Sequence, residues 1–150
     1  MPAAAAYLHF ISMLVLTALL GSQFVLCNRD LQPAHVRVLA RLDKWYLATA
    51  AAALITGIAR FVTGGHQPTY YFMNPVFYIK IALFLAVGLV SVVPTLQFLR
   101  WNRALDAAEG TVLRDVEIMS IRRYIALELA LLAMIPLAAV LTARGVGLQA

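Results

Sequence analysis

The sequence predicts an all-α transmembrane four-helix bundle, and three observations lead to that prediction. Hydrophobic residues make up 63% of the 150 residues and charged residues 13%, with a mean hydropathy of +0.83. This composition lies outside the range of soluble globular domains. Four apolar stretches each approach the roughly 20 residues that a helix needs to cross a bilayer core. They lack the two-residue alternation of barrel strands, so the spans are expected to be helices.

The four predicted spans form one integral membrane domain over residues 1–150. The first span has no basic residue before its apolar run, and that run is longer than in a signal peptide, so it is interpreted as a retained helix. The single cysteine, Cys27, has no partner for a disulfide within the chain. The predicted spans are about Tyr7–Cys27, Tyr46–Val62, Val76–Leu99 and Tyr124–Thr142.

The segment between the third and fourth spans keeps apolar residues at helical spacing despite its mixed charge. Gly110 suits the position that follows a helix, and Thr111 suits the position that precedes one. We therefore expect the third and fourth helices to extend into the cytoplasm as a helical hairpin with a tight turn.

The distribution of basic residues predicts the orientation in the membrane. The connecting segments 28–44 and 100–123 together contain nine lysine and arginine residues, whereas the remaining ends and loop contain only Arg144. By the positive-inside rule, both basic segments lie in the cytoplasm and both termini lie outside. The basic residues behind the net charge of +5 are therefore explained by membrane orientation. We expect membrane lipid as a partner and no nucleic acid.

Four residues of the types His, Lys, Arg, Asp and Glu fall inside the predicted spans: His9, Arg60, Lys80 and Glu128. Lys80 is the most informative, because long runs without Lys, Arg, Asp or Glu flank it on both sides. A charge within the bilayer costs several kcal/mol on insertion scales, so such residues are functional-site candidates by default. For Glu128 a structural role is favoured over a place in a proton route, with Gln23, Thr49, Thr95 or Lys44 as expected partners.

His9, Arg60 and Lys80 should lie at one depth in the outer half of the membrane. Each is about one turn from the outer end of its own span, given a rise of about 1.5 Å per residue. Arg60 shares a helical stripe of the second span with Ala53 and Thr56, and His9 and Lys80 each share a stripe with polar residues of their own spans. Polar stripes are expected to face the bundle interior, where hydrogen-bond partners exist.

An inward histidine beside two cations is the pattern of a haem site. A neutral imidazole ligates haem iron well, and cations near the membrane surface suit haem propionates. His9 is therefore the candidate axial ligand and metal-binding residue, with Arg60 and Lys80 as further cofactor-binding residues. Lys80 could instead be an axial ligand or a proton donor, and as a proton donor it is the candidate catalytic residue. The alternative is that Arg60 and Lys80 extend to the outer headgroups while His9 bonds a neighbouring helix.

Short motifs around these residues resemble a known family. His9 lies in Tyr-Leu-His-Phe near the start of the first span, and Lys80 in Phe-Tyr-Ile-Lys-Ile at the start of the third. Arg123 and Glu128 are loosely similar to an Arg…Asn-Glu-x-Pro element. Together they resemble the HemJ-type protoporphyrinogen IX oxidases, four-span proteins of the bacterial inner membrane that bind haem b. The resemblance implies functional roles for His9 and Lys80, and the chain also resembles a related four-span bacterial family with no assigned function.

Three classes of function follow from these observations. The first is a haem b redox protein that oxidises a porphyrinogen or exchanges electrons with quinone. The second is a small-solute or copper transport protein of the CopD kind; its Met, His and Cys ligands should occur in repeated pairs, whereas Met13, His66 and Met73 are scattered. The third is a structural or partner-binding bundle without a cofactor. A homo-oligomer is compatible with all three.

Overall fold

Four long helices account for almost all of the chain that the computed structural model describes, which is residues 2–63, 75–107 and 113–144. In chain order they are α1 (Pro2–Leu26), α2 (Pro33–Thr63), α3 (Pro75–Asp106) and α4 (Asp115–Ala143). Each helix is long and apolar enough to cross a membrane. The predicted fold class, an all-α bundle of four candidate spans, is thereby confirmed.

Three of the helices extend well beyond the predicted apolar spans, α2 most of all. It begins at Pro33 rather than Tyr46, and proline suits the first turn of a helix because its missing N–H has no partner to lose there. The early part of α2 is amphipathic: Val36 and Leu39 are buried, whereas Arg37 is exposed. A hydropathy pattern reports only the bilayer-crossing part of a helix, so it missed this extension.

The third and fourth helices extend beyond the predicted spans in the same way. α3 continues to Asp106 and α4 begins at Asp115, with Asp115 and Glu117 in its first turn, where carboxylates stabilise the helix dipole. These bounds agree with the predicted hairpin. Its turn, with Gly110 and Thr111, lies outside the described residues, so the roles of those two residues stay predictions.

The hydrophobic core lies nearer the end of the bundle where α1 connects to α2. α1 packs mainly against α2, and α3 packs mainly against α4, while smaller α2–α3 and α1–α4 interfaces join the pairs. Phe98 and Ile125 are fully buried in this core. Arg122 ties α4 to α1: its guanidinium donates to the Cys27 carbonyl at 3.0 Å and stacks on Phe24. A cation there also satisfies a carbonyl that a helix C-terminus leaves unpaired.

We expect the core-rich end to face the cytoplasm, and single-cysteine labelling checks this. Ala4 and Ala107 are exposed at opposite ends of the bundle, whereas the native Cys27 is fully buried and gives an unreactive background. By the positive-inside rule, Ala4→Cys should react with a membrane-impermeant maleimide added outside, and Ala107→Cys only after permeabilisation. The reverse labelling pattern would overturn the orientation.

Candidate functional site

His9 projects from α1 onto α2 and makes a defined contact there. Its Nδ1 lies 3.0 Å from the Ala53 carbonyl oxygen and 3.2 Å from Thr56 Oγ1. The Thr56 hydroxyl donates to the Ala52 carbonyl at 2.7 Å, so its oxygen is left to accept. This pattern assigns the proton to Nδ1 and leaves Nε2 with a free lone pair. Within residues 2–63, 75–107 and 113–144, Nε2 has no hydrogen-bond partner.

Gly57 is the residue that lets the imidazole approach α2 so closely. A Cβ atom at this position would lie 3.2 Å from His9 Cε1 and 3.5 Å from Nδ1. At Gly21 and Gly88, an added Cβ would meet no atom within 4 Å. Gly57 therefore has a local steric role that these two glycines lack, namely to seat the His9 ring.

Alanine substitutions at Gly57 and Gly21 should differ in sign or size. Alanine stabilises a helix interior by roughly 1 kcal/mol over glycine, and Gly21→Ala should show up to that gain in thermal denaturation in detergent. Gly57→Ala should show no gain or a loss, because the ring must shift and its hydrogen bond to Ala53 weakens. Equal gains at the two sites would mean that His9 does not pack against Gly57 in the folded protein.

The structure brings Arg60 and Lys80 to the same end of the bundle as His9. The charges of both act on the imidazole, and that of Arg60 acts on Lys80. Lys80 is half-buried, with Nζ 5.6 Å from the centre of the Phe77 ring, and Phe77 stacks on Phe61 of α2 at 5.7 Å. Arg60 is exposed, which differs from its predicted inward position, because it lies in the last turn of α2 and its long side chain extends away from the packed interior.

A second cluster of polar side chains lies deeper in the bundle, around Glu128. Tyr46 donates a hydrogen bond to Glu128 Oε2 at 3.0 Å, and Thr95 donates to Asp43 Oδ1 at 3.1 Å. Tyr46 was missing from the expected partners of Glu128, and Asp43 was missed altogether. The signal was present in sequence: Asp43 and Tyr46 are three residues apart, which places them on one face of a helix that extends back past Tyr46.

An apolar groove of about 340 Å³ opens between α2 and α3. On α2 its lining runs from Tyr46 to Leu54. Leu54 directly follows Ala53, whose carbonyl accepts the hydrogen bond from His9. On α3 its lining runs from Phe84 to Leu96. None of the described residues that line it is charged, so the groove suits an apolar ligand rather than an anionic one.

The copper alternative calls for metal-binding side chains that lie close together, and the structure describes residues 2–63, 75–107 and 113–144. Those residues contain no group of three His, Cys, Asp or Glu side chains placed to hold a metal ion. His66 and Met73 lie outside the described residues. Cys27 is buried and its Sγ lies 3.7 Å from the Ile118 carbonyl oxygen, within the core at the other end of the bundle from His9.

Comparison with known proteins identifies one family. Residues 1–147 match the family described as "Predicted membrane protein (DUF2214)". No curated protein and no solved structure matches the chain. The resemblance to HemJ-type oxidases therefore stays a prediction from the motifs around His9 and Lys80.

Proposed function

The chain belongs to the DUF2214 family of predicted membrane proteins, and we propose that it is a haem b-binding redox protein of the bacterial inner membrane. His9 is the proposed axial ligand to the iron through Nε2. Arg60 and Lys80 are the proposed partners of the haem propionates. Bound haem b would supply one-electron oxidation and reduction.

The state of the His9 imidazole is the observation that carries this proposal. Metal-bound histidines usually donate their second ring N–H to a carbonyl or carboxylate, which fixes the tautomer and orients the ring. The Nδ1–H of His9 is held by the Ala53 carbonyl and Thr56 Oγ1 in this way, and Gly57 makes room for the ring. The residues present therefore fit an axial ligand whose Nε2 lone pair is ready for iron.

The two cations near His9 fit the carboxylates of the same group. Arg60 and Lys80 both act electrostatically on His9, and neither forms an ion pair with another residue that the structure describes. A cation without a counter-charge at the edge of a bilayer is stabilised by an anionic ligand. Haem propionates would supply that negative charge.

A quinone is the electron partner that the α2–α3 groove favours. The described residues that line the groove are uncharged, and most of them are apolar. A porphyrinogen carries carboxylates that would need cations in such a groove, whereas a quinone is an apolar molecule with two carbonyl oxygens. We therefore propose electron exchange with quinone, with porphyrinogen oxidation as the alternative reaction.

Absorbance of the purified protein tests the proposal. Protein expressed with a haem precursor and purified in mild detergent should show a Soret band that shifts on reduction with dithionite. The spectrum of a pyridine extract should identify haem b, at about one haem per protein chain. Protein that is folded by circular dichroism but lacks a Soret band, both as purified and after titration with hemin, would retire the proposal.

Lys80 should support turnover more than assembly. Lys80→Met keeps a similar shape and removes a costly charge, so folding should stay near normal. If Lys80 donates a proton during the reaction, quinone reduction should fall on the order of 100-fold, and Lys80→Arg should not restore it because arginine does not release its proton. The control is Lys44→Met, the other lysine of the chain, which is exposed. Full activity in both Lys80 variants would mean that Lys80 only reaches the headgroups.

A further inference from the structure

Glu128 is completely buried in the middle of the bundle, and its immediate surroundings are polar. The exposed fractions are 0% for Glu128, 1% for Gln23, 2% for Tyr46 and 5% for Asp43. These four side chains come from three helices, and Ser91 and Thr95 of α3 complete the ring around them. We name these six residues the Glu128 cluster: Gln23, Asp43, Tyr46, Ser91, Thr95 and Glu128.

The Glu128 cluster contains two carboxyl groups and no basic group. Of the helices packed around it, α1 contributes Gln23, α2 contributes Asp43 and Tyr46, α3 contributes two hydroxyls, and α4 contributes Glu128. Among the described residues, no Lys, Arg or His side chain bonds or pairs with either carboxyl. Two unneutralised negative charges buried inside a helical bundle are very costly, so the cluster must take up positive charge.

Two unpaired polar atoms of the cluster indicate which kind of species fits between its side chains. Glu128 Oε1 and Gln23 Nε2 are fully buried, and neither has a hydrogen-bond partner among the residues that the structure describes. Both side chains lie beside Asp43. The Gln23 amide is near the Asp43 carboxyl, although Nε2 forms no hydrogen bond of ordinary geometry with it. The charge of Asp43 acts on Glu128. One orphan atom is a donor and the other an acceptor, so a bare metal cation satisfies only one of them. A water molecule, which both accepts and donates, satisfies both.

We propose that the Glu128 cluster is a buried, hydrated proton-binding site in which Glu128 carries the exchangeable proton. With Glu128 protonated on Oε1, the water accepts from Glu128 and from Gln23 Nε2 and donates to Asp43. When Glu128 releases its proton, its O–H bond breaks and a new O–H bond forms on the water, which passes the proton it was donating over to the Asp43 carboxylate. The ionised Oε1 of Glu128 then accepts a hydrogen bond from that water. Tyr46 donates to Oε2 whether Glu128 is protonated or ionised, so the same side-chain arrangement is kept in both protonation states.

Infrared spectroscopy of the full-length protein tests this proposal. Wild-type protein in lipid should show the C=O stretch of a protonated carboxyl near neutral pH, and this band should move to lower frequency in D₂O. Glu128→Gln, which mimics the neutral carboxyl in shape, should fold normally and lose the band. The matched control is Glu117→Gln, since Glu117 is ion-paired with Arg114 near the start of α4 and outside the cluster; that variant should keep the band.

Each remaining outcome decides against the proposal. Absence of a protonated-carboxyl band in wild-type protein near neutral pH would show that the cluster holds no proton there, whatever the variants do. A band that survives Glu128→Gln but disappears in Asp43→Asn would move the proton to Asp43 and overturn the role of Glu128. A band that does not respond to D₂O would exclude exchange. These measurements are independent of haem, so the haem proposal and this one fail separately.

Discussion

Replacing His9 by alanine should remove haem from the purified protein while leaving the four helices intact. The substitution deletes the proposed iron ligand together with the hydrogen bonds to Ala53 and Thr56. Loss of such a hydrogen bond costs only about 1 kcal/mol in stability, whereas loss of the axial ligand removes the bond that holds the iron. We expect the Soret absorbance per mole of protein to fall at least tenfold, with an unchanged far-ultraviolet circular dichroism spectrum.

His35 supplies the matched control for the His9 experiment. It lies near the start of α2, far along the helix from Ala53, and is also a partly exposed histidine. His35→Ala should retain the full Soret band. If His9→Ala keeps its haem, the site as described is wrong, and His66, outside the described residues, becomes the next ligand to test.

Tyr46→Phe should lower the stability of the folded protein more than Tyr124→Phe, the matched substitution at an exposed tyrosine. The hydroxyl is the donor to Glu128 Oε2 at 3.0 Å, and both side chains are almost completely buried. Tyr46 is the only described side chain that bonds this buried carboxyl, so the variant leaves Glu128 without a hydrogen bond from any described residue. A buried group that loses its only partner costs about 1–3 kcal/mol, and denaturation in detergent should show that loss.

A double-mutant cycle separates this hydrogen bond from other effects of the substitution. Glu128→Leu, which removes the acceptor, and the double variant with Tyr46→Phe should give a coupling free energy of about 0.5–3 kcal/mol, as expected for residues in contact. Tyr124→Phe is the control, because Tyr124 lies on α4 one turn before Glu128 but is substantially exposed. Equal losses for the two tyrosine variants would mean that the Tyr46–Glu128 hydrogen bond contributes nothing specific.

The transmembrane architecture and the grouping of His9 with Lys80 were predictable from sequence. Both depend on quantities that are local in the chain: the length of apolar runs and the number of residues from each span end. The predicted stripes of α1 and α2 also anticipated which helices meet, since His9 contacts Ala53 and Thr56, two members of the α2 stripe. Local periodicity sufficed because the two helices are consecutive and antiparallel.

The Glu128 cluster was not predictable in full, for a physical reason. Asp43 falls among Arg37, Arg41 and Lys44, so its neighbours in sequence indicate a solvated segment. Tertiary packing buries it: Asp43 turns inward to Thr95 of α3, with Gln23 of α1 nearby, while the adjacent Lys44 stays exposed. Which face of an amphipathic extension is covered depends on tertiary contacts that one sequence does not encode locally.

Pulsed electron paramagnetic resonance of the oxidised protein tests the central claim, that His9 ligates haem iron, most directly. Protein labelled with ¹⁵N-histidine should show a strongly coupled histidine nitrogen on the iron, both in the wild type and in His35→Ala, with the coupling assigned to Nε2. The Nδ1 nitrogen should carry an exchangeable proton, as its hydrogen bond to the Ala53 carbonyl requires. A haem signal without histidine nitrogen coupling, or with a coupling that persists in His9→Ala, would contradict the assignment.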